Sequence, residues 1–335
     1  NAVPIRHSTL ETPDGSGTIH SASRTAMITV VFAALFASVS ASADTGTPCM
    51  DEAELCTGGI AVPDGIPTCV VDSAVTLPSG CDLEMPDKRL TILPSASITV
   101  AHDALIRVRE LDMRSRTGTV RPAALSADCG SESCGEVVIE VGGSATFVET
   151  DFSGKDVVAT EGTSLRVVAE GDIVLADEIS LSGRGTNGVS GNAFFEAPNI
   201  YANHSIKTNG KVTGVRGGTA GTITLHATDT IELSNQASIQ ANGQSAGRIQ
   251  LLAAGDITIA PDSVISASMG DPNECPDGCA SGTVVVDGGR HITANGDIDV
   301  SRGATSTGHG GAIWMRSSQK TTVGETAQFH LGGGT

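Results

Sequence analysis

Aromatic side chains are scarce in this chain. Only 3% of its 335 residues are Phe, Trp or Tyr, with a single Trp and a single Tyr, whereas Gly occupies 41 positions. A chain of this length can bury a core, and with so few aromatic rings that core must consist of small and aliphatic side chains. The sequence therefore predicts a narrow aliphatic interior.

Positive charge is also in short supply. The chain has 20 Lys and Arg against 38 Asp and Glu, which gives a formal net charge of −18. An acidic surface repels nucleic acid and anionic lipid, and it keeps an extended molecule soluble. We therefore exclude DNA, RNA and anionic membranes as partners and expect no membrane insertion.

Only one apolar run stands out, and it is short. Residues 27–39 (MITVVFAALFASV) follow Arg24 and precede the small residues 41–43 (ASA), a pattern typical of a cleaved signal peptide. We predict a signal peptide over residues 27–43, with a retained membrane anchor as the alternative. Residues 1–26 show no apolar periodicity and are interpreted as an unstructured leader or an upstream reading-frame artefact. The expected location is secreted or cell-surface, of a bacterial type.

The eight cysteines form a crowded group and two close pairs. They are Cys49, Cys56, Cys69 and Cys81, then Cys129 with Cys134, and Cys275 with Cys279. An even count behind a signal peptide favours disulfides. Zinc and free thiols are the alternatives, but no His lies at a companion spacing near either close pair. The first four cysteines predict a Cys-rich N-terminal cap over residues 44–83, whose three possible pairings the sequence leaves open.

Internal repeats decide the expected fold. Six units begin at glycines about 30 residues apart, namely Gly162, Gly191, Gly221, Gly247, Gly282 and Gly311. Apolar residues alternate with polar ones in three short groups within a unit. In the unit that begins at Gly221 they are Ile223, Leu225, Ala227, Ile231, Leu233, Ile239 and Ala241. A period of two indicates three strands with one buried face each.

Strands joined by bends of a few residues, without tight two-residue turns, do not form hairpins with their sequence neighbours. They can close a triangular coil in which each strand pairs in parallel with its equivalent in the next coil, about 4.8 Å away. The predicted fold is all-β: a right-handed parallel β-helix, or β-solenoid, over residues 84–335, with irregular early coils over 84–160. The handedness follows the general preference of parallel crossovers.

Asn-Gly pairs are expected at the corners of these coils. Asn187-Gly188, Asn209-Gly210, Asn242-Gly243 and Asn295-Gly296 fall between strands, and both residue types tolerate positive φ.

The sequence also predicts that the natural protein continues with further coils of its own chain. It stops at residues 332–335 (GGGT), and Gly-Thr is how the units at Gly162, Gly221 and Gly282 begin. A solenoid end without a cap would leave strand edges unpaired.

The repeat pattern is clearest in three segments: GDIVLADEISLSG, DTIELSNQASIQANG and GDITIAPDSVISAS. They resemble the coils of filamentous-haemagglutinin-like adhesins and related autotransporter passenger domains. The resemblance is one of repeats and covers residues 160–335. It implies a secreted or cell-surface β-helix used for attachment or matrix building. The expected partners are surface glycans, matrix proteins or other cell-surface proteins.

A carbohydrate-active enzyme, either a lyase or a glycoside hydrolase, is the alternative, because pectate lyases and polygalacturonases resemble this architecture. Their chemistry needs paired carboxylates or an acidic calcium site. His309 lies between two glycines, as in a short polygalacturonase motif, and Asp297 and Asp299 precede it, but the neighbouring aspartates of that motif are missing. We therefore predict a non-catalytic adhesive or structural protein, or a module of a larger surface assembly, with no catalytic residue and no cofactor.

A few further residues have both a functional and a structural interpretation. The loop Asp271–Asp277 has enough oxygen ligands for calcium but lacks EF-hand spacing, so a solvated excursion is favoured. His226 and His291 alternate with inward residues and are expected to face solvent. Trp314 lies between two apolar residues of the same alternation and is also expected to point outward.

Overall fold

The computed structural model describes residues 49–61, 65–100, 103–114, 123–127, 135–151, 153, 162–183, 188–210, 218–269, 281–301 and 310–332. The signal peptide predicted over 27–43 and the leader before it lie outside these ranges. Within them, no helix has the length and the apolar character needed to cross a membrane.

The described chain is all-β apart from one helical turn, α1 (Glu52–Leu55). Most strands belong to one of three ladders, and successive strands along the chain fall in successive ladders. The first ladder contains β4 (Cys81–Ile92), β6 (Ala104–Met113), β8 (Glu136–Val141), β11 (Ser164–Ala169), β14 (Ala193–Ala202), β16 (Thr222–Leu233), β18 (Arg248–Ala253), β21 (Thr283–Gly288) and β24 (Ala312–Ser317).

The other two ladders contain shorter strands. The second ladder comprises β2 (Thr68–Val71), β9 (Ala145–Phe147), β12 (Ile173–Leu175), β19 (Ile257–Ile259), β22 (His291–Ala294), β25 (Lys320–Val323) and the C-terminal parts of β4, β6, β14 and β16. The third ladder comprises β3 (Ala74–Leu77), β5 (Ser97–Val100), β7 (Ala124–Ala127), β10 (Thr150–Asp151), β13 (Ile179–Ser180), β15 (Ser205–Lys207), β17 (Ser238–Gln240), β20 (Val264–Ser266), β23 (Asp297–Asp299) and β26 (Phe329–His330).

Each strand of a ladder pairs in parallel with the equivalent strand one repeat later. Leu225 of β16 is opposite Leu251 of β18, and Ile239 of β17 is opposite Ile265 of β20. Like positions of successive units are therefore in register, and backbone hydrogen bonds run between repeats. The predicted all-β architecture with parallel sheets is confirmed.

The ladders assemble into two sheets. Within the described residues the third ladder forms a ten-stranded sheet, and the first two ladders share a sixteen-stranded sheet. They share it because long strands such as β14 continue from the first ladder into the second, with a register shift between Ala197 and Asn199. As a result β6, β8, β11, β14, β12 and β9 pair in a closed ring.

One continuous apolar cluster lies between the ladders. The inward residues predicted for the unit at Gly221 are all buried, and so are the equivalent positions of the units at Gly162 and Gly247, which confirms the strand register. The interior is not purely aliphatic, however. Phe147 and Phe195 are fully buried and meet edge to face with 6.3 Å between ring centroids, an arrangement that aromatic pairs favour.

The glycines that begin the repeat units are required by close backbone approach. A Cβ atom at Gly221 would lie 2.0 Å from the carbonyl oxygen of Gly191, and one at Gly247 would lie 1.9 Å from that of Gly221. No side chain fits at such distances, so the glycines stack from repeat to repeat. This packing explains why the repeats are recognisable by their first residue.

The Asn-Gly corners differ from the prediction. Among the described residues, the non-glycine residues with positive φ are Ser95 and Asp262, so Asn209, Asn242 and Asn295 do not use that conformation. Asn209 and Asn242 serve instead as hydrogen-bonding groups. The backbone N–H of Asn242 donates to Oδ1 of Asn209 (2.9 Å), and that of Ser268 donates to Oδ1 of Asn242 (2.8 Å). Asn187 lies outside the described residues.

Candidate functional site

Two disulfides lie at the start of the described chain. They join Cys49 to Cys81 and Cys56 to Cys69, with Cα–Cα distances of 4.8 and 5.0 Å. Cys69 belongs to β2 and Cys81 to β4, whereas Cys49 and Cys56 precede β2. Both bridges therefore fasten the segment before β2 to the sheet. Disulfides persist in oxidising compartments. The remaining cysteines, Cys129, Cys134, Cys275 and Cys279, lie outside the described residues.

The segment before β2 covers the first end of the core. Leu55 of α1 is fully buried within the apolar cluster, and β1 (Ile60–Ala61) pairs antiparallel with β2. Regular parallel pairing already includes β2 and β3, which fall inside the predicted cap of residues 44–83, and it continues through the early repeats predicted to be irregular. Parallel pairing of the described strands thus begins at Thr68, and the division of the chain into cap and β-helix stays a prediction.

The outward side chains of the first ladder form two parallel columns. The central column contains Asp82, Leu105, Val138, Arg166, Phe194, Thr224, Gln250, Val285 and Trp314. The charged column, two residues further along each strand, contains Glu84, Arg107, Glu140, Val168, Glu196, His226, Leu252, Asp287 and Arg316. Because parallel strands are in register, these side chains are neighbours although about 30 residues separate them in sequence.

Ion pairs in the charged column cross from one repeat to the next. Arg107 binds Glu140 through Nε (2.7 Å) and Glu84 through Nη1. The hydrogen bond with Glu140 is the largest effect, and it raises the pKa of the Arg107 guanidinium above its usual value. Burial is the second-largest effect and lowers the pKa, and the hydrogen bond with Glu84 raises it again. His226 lies 3.7 Å from Glu196, outward as predicted. In this column the carboxylates of Glu84 and Glu140 thus neutralise the Arg107 guanidinium.

A second cross-repeat network surrounds Asp256. Its carboxylate lies 3.1 Å from Nδ1 of His291 and 3.5 Å from Nε of Arg290, and Arg290 also binds Asp229. Burial raises the pKa of Asp256, but hydrogen bonds from the side chain and backbone of His291 and the charge of Arg290 outweigh it, so the pKa lies below its ordinary value. These contacts tie three successive repeats together on the outer surface.

An open groove of about 410 Å³ lies over the outward face of β18, β21 and β24. It is lined by Arg248, Thr283, Val285, Asp287, Trp314 and Arg316. Trp314 is 66% exposed, which confirms its predicted outward orientation. Nε of Arg316 lies 3.4 Å from Asp287. We call this region the Trp314 groove. Sequence reasoning missed it because its residues come from three repeats, and only the register between repeats brings them together.

The other residues considered from the sequence do not form a site among the described residues. Asp297 and Asp299 lie on β23 of the third ladder, whereas the Trp314 groove lies over strands of the first ladder. His309 and the loop Asp271–Asp277 lie outside the described ranges. Within those ranges no group of three or more His, Cys, Asp or Glu side chains is placed to hold a metal ion.

The chain matches no protein-family model, no curated protein and no solved structure. The likeness of its repeats to filamentous-haemagglutinin-like adhesins stays a prediction, and function is inferred from the residues themselves.

Proposed function

We propose that the three ladders are the sides of a right-handed parallel β-helix that is exported and acts, without catalysis, in adhesion or as an extracellular structural element. The support is geometric. Strands adjacent in sequence lie in successive ladders, every ladder pairs in parallel, and one apolar cluster lies between them. Parallel crossovers between strands are right-handed in nearly all proteins.

The observation that carries the functional proposal is the length and regularity of the outer surface. Ten strands of the third ladder, at a spacing of about 4.8 Å, extend over about 43 Å. Ion pairs between repeats, such as those of Arg107 and Arg290, fix the side chains on the neighbouring faces. A long surface of this kind suits many weak contacts with an extended partner, such as a surface glycan, a matrix protein or another cell-surface protein.

Export is proposed from two independent features. The predicted signal peptide precedes the described chain, and the two disulfides indicate folding in an oxidising environment. The location that fits both is the cell surface or the extracellular space, where a filamentous-haemagglutinin-like adhesin would act.

A binding assay with a parallel turnover assay tests this proposal. The purified, oxidised chain is coupled to beads, and retention of the beads on immobilised polysaccharides and matrix proteins is measured under flow. We expect retention by the parent and none by Leu225→Asp, which should not fold. The same samples are assayed for new reducing ends and unsaturated uronates. Polysaccharide cleavage with turnover would favour the enzyme alternative, and a parent chain that is retained on no surface would contradict the adhesive function.

A further inference from the structure

We propose that the Trp314 groove binds an acidic saccharide, a pyranose that carries a carboxylate. A single exposed apolar side chain is common on protein surfaces, so Trp314 alone would indicate nothing. It differs from such cases in its neighbours. Val285 precedes it in the central column and extends the apolar floor, while two arginines and an aspartate line the same groove.

The charge of the groove is opposite to that of the chain. Arg248 and Arg316 against Asp287 leave a local charge of about +1, in a molecule whose formal net charge is −18. An extended polyanion such as nucleic acid would be repelled by the surrounding surface. A short anionic saccharide that places a carboxylate against the arginines of the groove would be attracted, because screening limits repulsion from charges more than about 8 Å away.

The arginine at the end of the groove is accessible to a carboxylate. Asp287 contacts Arg316 through Nε at 3.4 Å, and within the described residues the two terminal nitrogens have no hydrogen-bond partner. The Arg316 side chain is 84% exposed. A guanidinium whose terminal nitrogens are exposed can present their N–H groups to the two oxygens of a carboxylate, a bidentate geometry that favours Arg over Lys.

The apolar floor identifies the rest of the ligand. The electron-rich face of the indole attracts the C–H groups of a sugar ring, and Thr283 and Asp287 offer hydrogen-bonding groups to its hydroxyls. The groove crosses three strands, about 10 Å, and its volume of about 410 Å³ falls among small-molecule sites of ~300–1,000 Å³. The proposal rests on the adhesive function, for which it names one contact.

Fluorescence tests the groove directly because Trp314 is the single Trp of the chain. The oxidised full chain is titrated with the tetramer of β-1,4-linked glucuronic acid and, as the matched neutral probe, with cellotetraose, in which a hydroxymethyl group replaces each carboxylate. We expect a saturable change of emission with the acidic tetramer and about 10- to 100-fold weaker binding of the neutral one.

Variants assign the binding to named side chains. Arg316→Gln should weaken binding of the acidic tetramer by about 10- to 100-fold. Trp314→Ala should abolish its binding as followed by calorimetry. Thr224→Ala, in the same central column but three repeats earlier, is the matched control and should bind like the parent. Unchanged thermal unfolding of all three variants shows that the fold is retained.

Three results would contradict saccharide binding in the groove: no saturable emission change with the acidic tetramer, equal binding of the neutral tetramer, or parent-like binding by Arg316→Gln. Retention of the beads on other surfaces, with no change of Trp314 emission during the titration, would reject saccharide binding in the groove and leave the adhesive function in place. Loss of both retention and titration would reject the two together.

Discussion

The two ends of the described stack differ in what covers their apolar residues. At the first end, Leu55 is fully buried, β1 pairs with β2, and two disulfides fasten the covering segment. In the last described repeat, Met315 and Phe329 are only half-buried, and Val323 is 50% exposed. Within the described residues, inward side chains are therefore fully buried where packed elements cover them on both sides.

The same inward column shows the difference residue by residue. Leu225 is fully buried between Phe195 and Leu251, which lie opposite it in the preceding and following strands. Met315 lies opposite Val286 on one side and is half-buried. The residues directly opposite an inward side chain thus belong to strands about 30 residues away in sequence.

The largest expected effect is that of a charge in the middle of this column. Leu225→Asp should abolish folding, at a cost of about 5 kcal/mol or more, because the carboxylate would be buried without a partner. Met315→Asp, in the last repeat, should cost about 1–2 kcal/mol, since water reaches that position. Urea unfolding measures both.

The neighbouring outward position provides the matched control for this pair. Thr224→Asp should change the unfolding free energy by about 0.5 kcal/mol or less. Equal losses of unfolding free energy for Leu225→Asp and Met315→Asp would contradict the distinction between the middle and the last described repeat. Parent-like stability of Leu225→Asp would refute the strand register itself.

The next largest effect concerns the stacked glycines. Gly221→Ala should destabilise the protein by about 3 kcal/mol or more, because the new Cβ would collide with the backbone of Gly191. Gly332→Ala, where no other described residue beyond the chain neighbours lies within 4 Å of the added Cβ, should be neutral. Thermal unfolding compares the two variants, and a neutral Gly221→Ala would show that the repeats are not packed this closely.

Removal of a disulfide is expected to make the first end resemble the last described repeat. The double variant Cys56→Ser, Cys69→Ser opens a bridge with a sequence separation of 13 and should cost about 2–3 kcal/mol. Amide exchange should accelerate in β2 and β3 and stay unchanged in β24. Uniform acceleration along the chain would mean that the bridge acts on the whole stack instead of its first end.

The smallest expected effect is that of the outer ion pairs. The pKa of Asp256 is lowered below its ordinary value of 3.8, so its stabilising contribution is present above pH 3.8 and is lost as the pH falls through the folded value. Asp256→Asn should therefore reduce stability at pH 7 by about 1 kcal/mol or less, because the side chain is well exposed. Urea unfolding at pH 7 and below pH 3.8 measures the difference, which should shrink in acid. A larger loss in acid than at pH 7 would contradict the assignment.

The strands and their inward faces could be predicted from the sequence because a period of two in residues such as Ile223 and Leu225 is a local signal. The clash that fixes Gly221 could not, because it involves the backbone of the preceding repeat. Asn209 and Asn242 show the same limit. Their position at corners is local, whereas the hydrogen bond between them is not.

The Trp314 groove was harder to predict for the same reason. The alternation around Trp314 gave its outward direction, but its neighbours Val285, Asp287 and Arg248 come from other repeats. The disulfide pairing likewise depends on which strands are adjacent, and the spacing of the four cysteines did not specify it. When the loops between repeats vary in length, the sequence alone does not show which residues of different repeats are neighbours.

The in-register stacking of one strand per repeat is tested most directly by distance measurements along the central column. Spin labels on unnatural ketone-bearing residues, which avoid the native cysteines, are placed at Val138 and in turn at Gln250, Val285 or Trp314. These positions are four, five and six strands away, so the Cα distances should be about 19, 24 and 29 Å. A regular increase of about 5 Å per repeat is the predicted result. Distances that do not rise with the number of repeats would contradict the parallel stack.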